Sequence, residues 1–508
     1  MSTIKKQTVT NIIYSYLGVA TGFVTQIFLI PAFLTTEQNG LLGVLLAYTY
    51  LLIQIGSLGF NAAGSKFFPQ FRDAKKGHHG YLFLGISTSI LGFFIASSLF
   101  LSYQWGYLDG LFRLFQTNFH VSHSDLFTSY YYLIFPLTFG SILFNLFDNY
   151  AKNLYNSTWG TFLSQFLQRF IQLLTVGLMA FHFLSFEQFL WIWAIGFVLY
   201  LIPMVWKCFQ LEGFSISPDF SLFTPEFSKK FIHYSGLTIL TGFSSMIIQY
   251  IDKIMLEEMI GLKETGIYTT SLYFISVMGM SLVATNKASG PIIADAIHQN
   301  DHKTLHTIYQ KSCLTQLIFG ILIYLLIISN FDAVFSITHN KDYLLGKSVV
   351  IIFGLGKLFD LATGLNGSIL SLSKYYKYDT YSMIGLIFLT IALNLVLIPT
   401  YGMIGASIVA ALATVYFNLF RFIIVWKKLK LQPFNFDFVK VIILGIISWF
   451  LVNLIPQNLD TINGVIISIV AKSIVLVIFY TFIVYRLGIS KEINDLIDKN
   501  LKKVKIVK

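Results

Sequence analysis

The chain has 508 residues, of which 55% are hydrophobic and only 12% are charged. Soluble domains usually carry about 25% charged residues, so this composition excludes a single soluble domain. It also excludes a long disordered chain, which would need low hydrophobicity together with a high net charge. The two cysteines, Cys208 and Cys313, are too few for a disulfide-stabilised secreted scaffold. What remains is a protein that crosses a membrane many times.

Fourteen apolar stretches are long enough to cross a bilayer as helices, which requires about 20 mostly apolar residues each. They do not alternate polar with apolar residues, so strands are not indicated. In chain order the predicted spans are 12–34, 41–62, 81–103, 127–148, 161–183, 188–206, 232–251, 267–289, 313–331, 346–370, 380–399, 403–426, 438–456 and 464–485. We therefore predict an all-α integral membrane protein with no room for a soluble catalytic domain.

The basic residues predict the orientation of these spans. If residues 1–11 are cytoplasmic, 26 of the 35 lysines and arginines lie on the inner side, five on the outer side and four within spans. Cytoplasmic loops of membrane proteins carry such an excess of positive charge. We expect both termini to be cytoplasmic. The net charge of +11 is then a consequence of topology and does not require a nucleic-acid partner.

An internal repeat indicates two related halves. Residues 14–27 match residues 234–247 at a shift of 220, with seven identities in fourteen positions. A repeat of six spans predicts two pseudo-symmetric six-helix lobes, and transporters with such repeats alternate access by rocking one lobe against the other. The predicted segments are an N-terminal lobe (1–210), a C-terminal lobe (228–430), helices 13 and 14 (434–488) and a basic amphipathic tail (489–508). The tail either lies on the inner leaflet or is a solvated segment that only fixes topology.

Three motifs carry a resemblance to a known family. They are Gln249–Leu256 followed by Gly261 and Thr265–Tyr268, Gly59–Asn61 followed by Lys66–Pro69, and Gly402–Ser407. With the arrangement of six, six and two spans, they resemble the polysaccharide flippases of the superfamily that also contains multidrug exporters and the lipid II flippase. The resemblance covers essentially the whole chain.

This resemblance implies a transporter rather than an enzyme. Its substrate would be an undecaprenyl-pyrophosphate-linked oligosaccharide, moved from the inner to the outer leaflet of a bacterial plasma membrane by alternating access. The oligosaccharide would supply O-antigen, lipopolysaccharide, capsule or exopolysaccharide. A polysaccharide polymerase and glycosyltransferases would be partners, together with membrane lipids. No cofactor is expected, although transport can be coupled to H+ or Na+.

The fifth predicted span carries the first candidate substrate-binding residues. Arg169 shares one helix face with Gln165, Gln168 and Gln172, because these positions are three or four residues apart. Charged residues within spans are costly and usually face a cavity, so this stripe predicts a wall that contacts phosphate or sugar. Alternatively, the stripe joins two helices, or Arg169 extends its charge to the membrane surface.

Further candidate substrate contacts lie on spans 1, 2 and 8. Lys66 and Lys287 are near predicted inner ends, where they can attract pyrophosphate or simply follow the positive-inside rule. Gln26 and Asn61 can hydrogen-bond sugar hydroxyls, or they can join helices.

Two pairs of charged residues are candidates for gating or ion coupling. Lys357 and Asp360 are three residues apart and can form a proton or cation site, or a neutral pair that packs helices. Asp252 and Lys253 at the outer end of span 7 can gate the outer mouth or form an interfacial ion pair. Neither a Walker-type loop nor a zinc-protease motif is present, so neither ATP hydrolysis nor a metal site is predicted.

Two other functions remain open. A cation-coupled multidrug exporter of the same fold would need a carboxylate in the membrane part of the N-terminal lobe, and Asp148 is the candidate. However, the spans contain few acids and several bases, which favours an anionic substrate. A membrane-embedded polysaccharide polymerase or acyltransferase would need a long outer loop, and 104–126, with His120 and His123, is of modest length.

Overall fold

The computed structural model describes residues 2–107, 124–338 and 340–506, with side chains except at 2–6, Ala284, Lys287, Leu496 and 500–506. The histidines of the predicted outer loop, His120 and His123, lie outside the described residues. The chain divides into two compact units, Met1–Gly266 and Ile267–Lys508, and each has its own buried apolar core.

The first unit consists of helices and short connections. Its helices are α1 (Ser2–Phe23), α2 (Thr36–Gly56), α3 (Phe60–Phe71), α4 (Tyr81–Gln104), α5 (Ile134–Asn153), α6 (Gln168–Ala180), α7 (Phe186–Leu199), α8 (Leu201–Phe209) and α9 (Pro225–Met259). Shorter helical segments are Ile30–Phe33, Ala74–Gly80, Asp125–Tyr130, Tyr131–Leu133 and Thr158–Thr161, with π-helical turns at Val24–Leu29 and Phe162–Leu167. Helix α9, which follows the predicted N-terminal lobe in sequence, packs against α2 and α3 and belongs to this unit.

Local sequence signals explain where several helices begin. The Thr35 hydroxyl accepts a hydrogen bond from the amide of Gln38, whose side chain accepts one from the Thr35 amide, so a capping box starts α2. Ser185 and Gln188 form the same arrangement at the start of α7. These caps satisfy main-chain donors that would otherwise be unpaired at a helix end. They allow helices to begin immediately after very short loops.

The two π-helical turns coincide with predicted polar positions. Gln26 lies in the turn Val24–Leu29, and Gln165 lies in the turn Phe162–Leu167. A Cβ on Gly18 of α1 would be only 2.6 Å from the carbonyl carbon of Gln165, so the two main chains are in direct contact and only glycine fits. Single π-helical turns redirect side chains within a helix and are frequent at functional sites.

The loop 77–80 has an unusual main-chain conformation and contacts the segment that leads into α9. Gly77, His78, His79 and Gly80 all have φ between 48° and 68°, and the two histidines are buried. Such left-handed conformations are costly for residues with a Cβ. The loop is stabilised by contacts with the connector 212–221, which runs towards α9.

Two histidines make these contacts. His78 Nε2 is 3.0 Å from the Glu212 carbonyl oxygen, and His79 Nδ1 is 3.1 Å from both Asp219 Oδ2 and Ser221 Oγ. Hydrogen bonds from Ser221, together with the neighbouring His79, hold the pKa of the Asp219 carboxyl below its usual range. The lowered pKa keeps Asp219 ionised, and able to accept these hydrogen bonds, at more acidic pH than an ordinary aspartate.

The second unit begins within a long helix. Helix α10 (Leu262–His298) starts at the end of the first unit, and α11 (His302–Ser336), α12 (Lys347–Thr363), α13 (Asn366–Leu372), α14 (Tyr376–Leu429), α15 (Phe436–Asn453), α16 (Ile462–Arg486) and α17 (Lys491–Ile506) follow. A 3-10 segment, Lys341–Gly346, precedes α12. Helices α12 and α14 pack closely at Gly356: a Cβ at this position would lie 2.8 Å from the Ala411 main chain.

The all-α membrane fold predicted from composition is confirmed. Among the described residues, 11 helices are long and apolar enough to cross a membrane, or 12 if Lys341–Thr363 and Asn366–Leu372, bent by 50°, form one span. The predicted spans 380–399 and 403–426 both lie in α14, whose main chain leaves helical geometry at Gly402 (φ 56°, ψ −135°). The predicted number of 14 spans is not confirmed and stays a prediction.

The start of the tail, including the beginning of α17, packs against the second unit. Ile489 and Ile493 are buried in the core of the second unit. Glu492 forms an ion pair with Lys311 of α11, with 2.7 Å between Oε1 and Nζ. The start of the tail is therefore docked, because burying its apolar residues here removes them from water.

Candidate functional site

A polar cavity of about 270 Å³ lies inside the first unit, beside the break between α2 and α3. At this break Leu58 (φ 45°) and Gly59 (φ 70°) adopt left-handed conformations. A Cβ on Gly59 would lie 2.9 Å from the Ser235 carbonyl carbon of α9, so glycine permits both the turn and the close approach of α9. The lining residues are Ile53, Gln54, Ser57, Gly59, Asn61, Ala62, Asn145, Asp148, Asn149, Lys152 and Thr238.

Amide side chains dominate the wall of this cavity. Gln54 comes from α2, Asn61 from α3, and Asn145 and Asn149 from α5. Within the described part of the chain, the side-chain amides of Gln54, Asn61 and Asn145 have no hydrogen-bond partner, whereas Asn149 Oδ1 accepts one from Ser65 at 2.9 Å. Each amide provides two donors and an acceptor oxygen. The cavity therefore presents unused hydrogen-bonding groups of both kinds.

The cavity contains one ion pair. Lys152 Nζ contacts Asp148 Oδ2 one turn away on α5. The Asp148 side chain is 11% exposed and the Lys152 side chain 49%, so the carboxylate is the buried member. Asp148 Oδ1 is buried and has no hydrogen-bond partner in the described structure. Instead it lies against Gly160, where a Cβ would be 2.6 Å from Asp148 Cγ.

Two helix ends also face the cavity. The C-terminal end of α2 contributes Ile53 and Gln54, and the N-terminal end of α3 contributes Asn61 and Ala62. A helix carries roughly half a negative charge at its C-terminus and half a positive charge at its N-terminus. The two ends compensate each other, as do Asp148 and Lys152. The cavity is strongly polar but has no net charge.

Of the predicted substrate contacts, Asn61 lines this cavity and the others lie elsewhere. Arg169 and Gln172 lie on α6 and are half-buried, as is Gln165 in the preceding π-helical turn. None of these three side chains is part of the cavity wall.

The remaining predicted contacts in the first unit have protein partners. Gln26 Nε2 donates to Asn39 Oδ1 at 3.1 Å, which joins the π-helical turn to α2. Lys66 is exposed on α3, and its Nζ lies 3.8 Å from the centre of the Tyr234 ring. The side chain of Lys287 lies outside the described residues.

The C-terminal end of α9 buries three acids. Asp252, Glu257 and Glu258 are each at most 9% exposed. Glu258 Oε1 accepts a hydrogen bond from Tyr48 at 2.6 Å and another from Tyr103. The pattern of apolar residues predicts that span 7 ends at 251, so Glu257 and Glu258 read as loop residues in the sequence. The structure continues α9 to Met259, and tyrosines from α2 and α4 cover the carboxylate of Glu258.

The predicted gating and coupling pairs differ in their surroundings. Lys357 and Asp360 form an ion pair with 2.6 Å between Nζ and Oδ2, and Asn418 donates to Asp360 Oδ1 at 2.9 Å. Asp252 Oδ1 accepts a hydrogen bond from the Lys253 amide at 2.8 Å, and Lys253 Nζ lies 5.9 Å from the Tyr250 ring centre. Their assignment to gating or coupling remains a prediction.

Comparison with known proteins places the chain in a family. A family model described as "Polysaccharide biosynthesis protein" matches residues 5–297, more than half of the chain. The chain belongs to this family. A membrane protein of Methanocaldococcus jannaschii named "Uncharacterized membrane protein MJ1068" is 22% identical to this chain over 432 residues, covering 80% of this chain and 81% of that protein. The resemblance to polysaccharide flippases predicted from sequence motifs is thus confirmed at the level of the family.

Solved structures share the fold of this chain. "Lipid II flippase MurJ, inward closed conformation" matches with a TM-score of 0.71 and 16% identity, covering 94% of this chain and 99% of that one. An inward-facing multidrug resistance MATE family transporter of the MOP superfamily matches with a TM-score of 0.63 and 11% identity, covering 82% of this chain and 94% of that one. At these identities the comparison establishes a shared fold.

Proposed function

We propose that this protein is a flippase that moves undecaprenyl-pyrophosphate-linked oligosaccharide from the inner to the outer leaflet of a bacterial plasma membrane. The observation that carries the proposal is the polar cavity of the first unit, with unused amides in an otherwise apolar protein. Polar groups in a membrane protein usually mark a substrate path. Membership of the polysaccharide biosynthesis family and the fold shared with a lipid II flippase support the same function.

The proposal includes alternating access between two lobes, with both termini cytoplasmic. In this orientation the break between α2 and α3 is near the inner surface, where a lipid-linked substrate would enter. A polysaccharide polymerase would use the product on the outer side, and glycosyltransferases would supply the substrate on the inner side. Coupling to H+ or Na+ belongs to the proposal, and transport under imposed proton and sodium gradients would identify the ion.

Proteoliposomes provide the main test. Purified protein would be reconstituted with fluorescently labelled lipid-linked oligosaccharide, and access of an external glycosidase would report the fraction in the outer leaflet. We expect wild-type protein to equilibrate the lipid between leaflets, and protein-free vesicles not to. A wild-type protein that leaves the lipid in its original leaflet would refute the flippase function.

Arg169 is a proposed contact on the substrate path. Arg169→Ala removes the only permanent charge of its polar stripe, so we expect roughly tenfold slower flipping with normal membrane insertion, equivalent to about 1.4 kcal/mol. Arg486→Ala, which removes an exposed arginine at the end of α16, is the matched control and should flip normally. Equal rates for both variants would remove Arg169 from the path.

One observation favours a second function, a cation-coupled multidrug exporter. Asp148 is a buried carboxylate in the first unit, and one of its oxygens has no hydrogen-bond partner in the described structure. Such a group can bind and release a proton or a cation. The same proteoliposomes distinguish the two functions, because an exporter would move cationic dyes and ignore the lipid-linked oligosaccharide.

A further inference from the structure

The geometry points to the cavity of the first unit as a subsite for a single uncharged sugar ring of the substrate, and not for its pyrophosphate. This inference rests on the proposed flippase function and deepens it. According to this inference, a sugar ring with its hydroxyl groups binds in the cavity, and the pyrophosphate binds outside it. Charge, hydrogen-bonding groups and size lead to it independently.

The charge of the cavity disfavours pyrophosphate. Its two ionised side chains, Asp148 and Lys152, neutralise each other through their contact on α5. A pyrophosphate would have to displace Asp148 from Lys152 and would then lie beside a buried carboxylate. The positive end of α3 is compensated by the negative end of α2. A neutral ligand with many dipoles can bind without displacing Asp148 from Lys152.

The amides provide the hydrogen-bonding pattern that a sugar requires. A hydroxyl group both donates and accepts, and so does an amide side chain. The side-chain amides of Gln54, Asn61 and Asn145 have no hydrogen-bond partner in the described chain, so these amides are available to a ligand. The Gln54 amide also packs against α9, where a Cβ on Gly242 would lie 2.5 Å from Gln54 Cδ.

Size and shape restrict the ligand to one ring. The volume of about 270 Å³ is just below the usual range for small-molecule pockets, roughly 300–1,000 Å³. A whole oligosaccharide repeat does not fit in this volume. Ile53 and Ala62 add apolar wall next to the amides, which suits the C–H face of a pyranose ring. The remaining sugars and the pyrophosphate would lie outside the cavity.

A binding experiment with two lipids tests the inference. The probes are lipid-linked oligosaccharide purified from the host membrane and undecaprenyl pyrophosphate without sugar, each titrated against the purified full-length protein. Asn61→Leu removes an amide from the cavity while keeping the side-chain volume. Gln70→Met is the matched control, because Gln70 is exposed on the same helix and does not line the cavity. Size-exclusion profiles check folding, and Asn145→Leu replaces Asn61→Leu if that variant aggregates.

The expected result is a loss that depends on the sugar. Asn61→Leu should raise the Kd for the glycosylated lipid about tenfold, and should leave the Kd for undecaprenyl pyrophosphate within about twofold of wild type. Gln70→Met should change neither. Equal losses for both lipids would assign the cavity to pyrophosphate, and no loss for either would show that it binds water only; both results overturn the inference. In these cases wild-type flipping would persist, whereas a failure of the flippase function would be seen as absent flipping by the wild-type protein.

Discussion

The packing of Gly160 against Asp148 gives a sharp test of the cavity's structure. A Cβ at position 160 would overlap Asp148 Oδ1 and lie 2.6 Å from Asp148 Cγ, far inside normal contact distance. Gly160→Ala must therefore push the carboxylate away from its present position. Because Asp148 is buried and paired with Lys152, the displacement strains the ion pair and the helices that hold it.

The size of the effect follows from two opposing contributions. Forcing an extra methyl group into a packed site usually costs about 1–3 kcal/mol. Replacing a helical glycine by alanine recovers about 0.5–1 kcal/mol where there is space. Gly177 on α6 provides that control, since a Cβ there meets no atom within 4 Å. We expect Gly160→Ala to be less stable than Gly177→Ala by about 1–3 kcal/mol, because the gain from replacing a helical glycine applies to both variants and only Gly160→Ala adds the steric cost.

Thermal unfolding of the detergent-solubilised protein, followed by size-exclusion chromatography of the heated samples, would measure this difference. Gly160→Ala should lose its monodisperse peak at a clearly lower temperature than wild type, and Gly177→Ala at the same or a slightly higher temperature. Asp148→Asn combined with Gly160→Ala should not restore stability, because the overlap is steric. If both single variants unfold together, the reasoning that Gly160 and Asp148 are in contact is refuted.

Two further substitutions test buried polar contacts. Tyr48→Phe removes a hydrogen bond to buried Glu258 and should cost about 1–3 kcal/mol of stability. Tyr150→Phe should cost almost nothing, because the Tyr150 hydroxyl is buried without a partner in the described structure. Equal melting temperatures for the two variants would contradict this. Arg421→Lys in α14 should lower the stability measured in the same melting assay by about 1–2 kcal/mol. Lysine cannot reproduce the two hydrogen bonds from Arg421 to Asp379 at 2.6 and 3.1 Å. An unchanged melting temperature would show that this pair contributes little.

Contacts within one helix could be predicted from the sequence. Lys357 and Asp360 are three residues apart, so a helix brings their side chains together, and the ion pair is present. Apolar runs also predicted the all-helical membrane fold, because bilayer thickness leaves few alternatives for such sequences. Both predictions depend on periodicity, which a single sequence shows directly.

The cavity could not be predicted in the same way, because four helices from three distant parts of the sequence build it: α2 and α3, α5, and α9. Asn61 was a candidate, but its neighbours Asn145 and Asp148 are reached only through the packing of α3 against α5. Gly59 is visible in the sequence, yet its left-handed conformation, and that of Leu58, appear only in the structure. Glu257 and Glu258 were missed because hydropathy alone treats acidic residues as loop, while tertiary hydrogen bonds can keep them in a buried helix.

The contact between the loop 77–80 and the connector 212–221 sets a mechanical limit on the first unit. Ser221 is the last residue of the connector that is held by His79, and α9 begins at Pro225. Only Leu222–Thr224 lie between them, and a fully extended chain spans about 3.3–3.6 Å per residue. As long as the histidine contacts persist, the start of α9 can lie at most roughly 10–14 Å from Ser221. A larger movement of this end of α9 requires the connector to separate first from the loop 77–80.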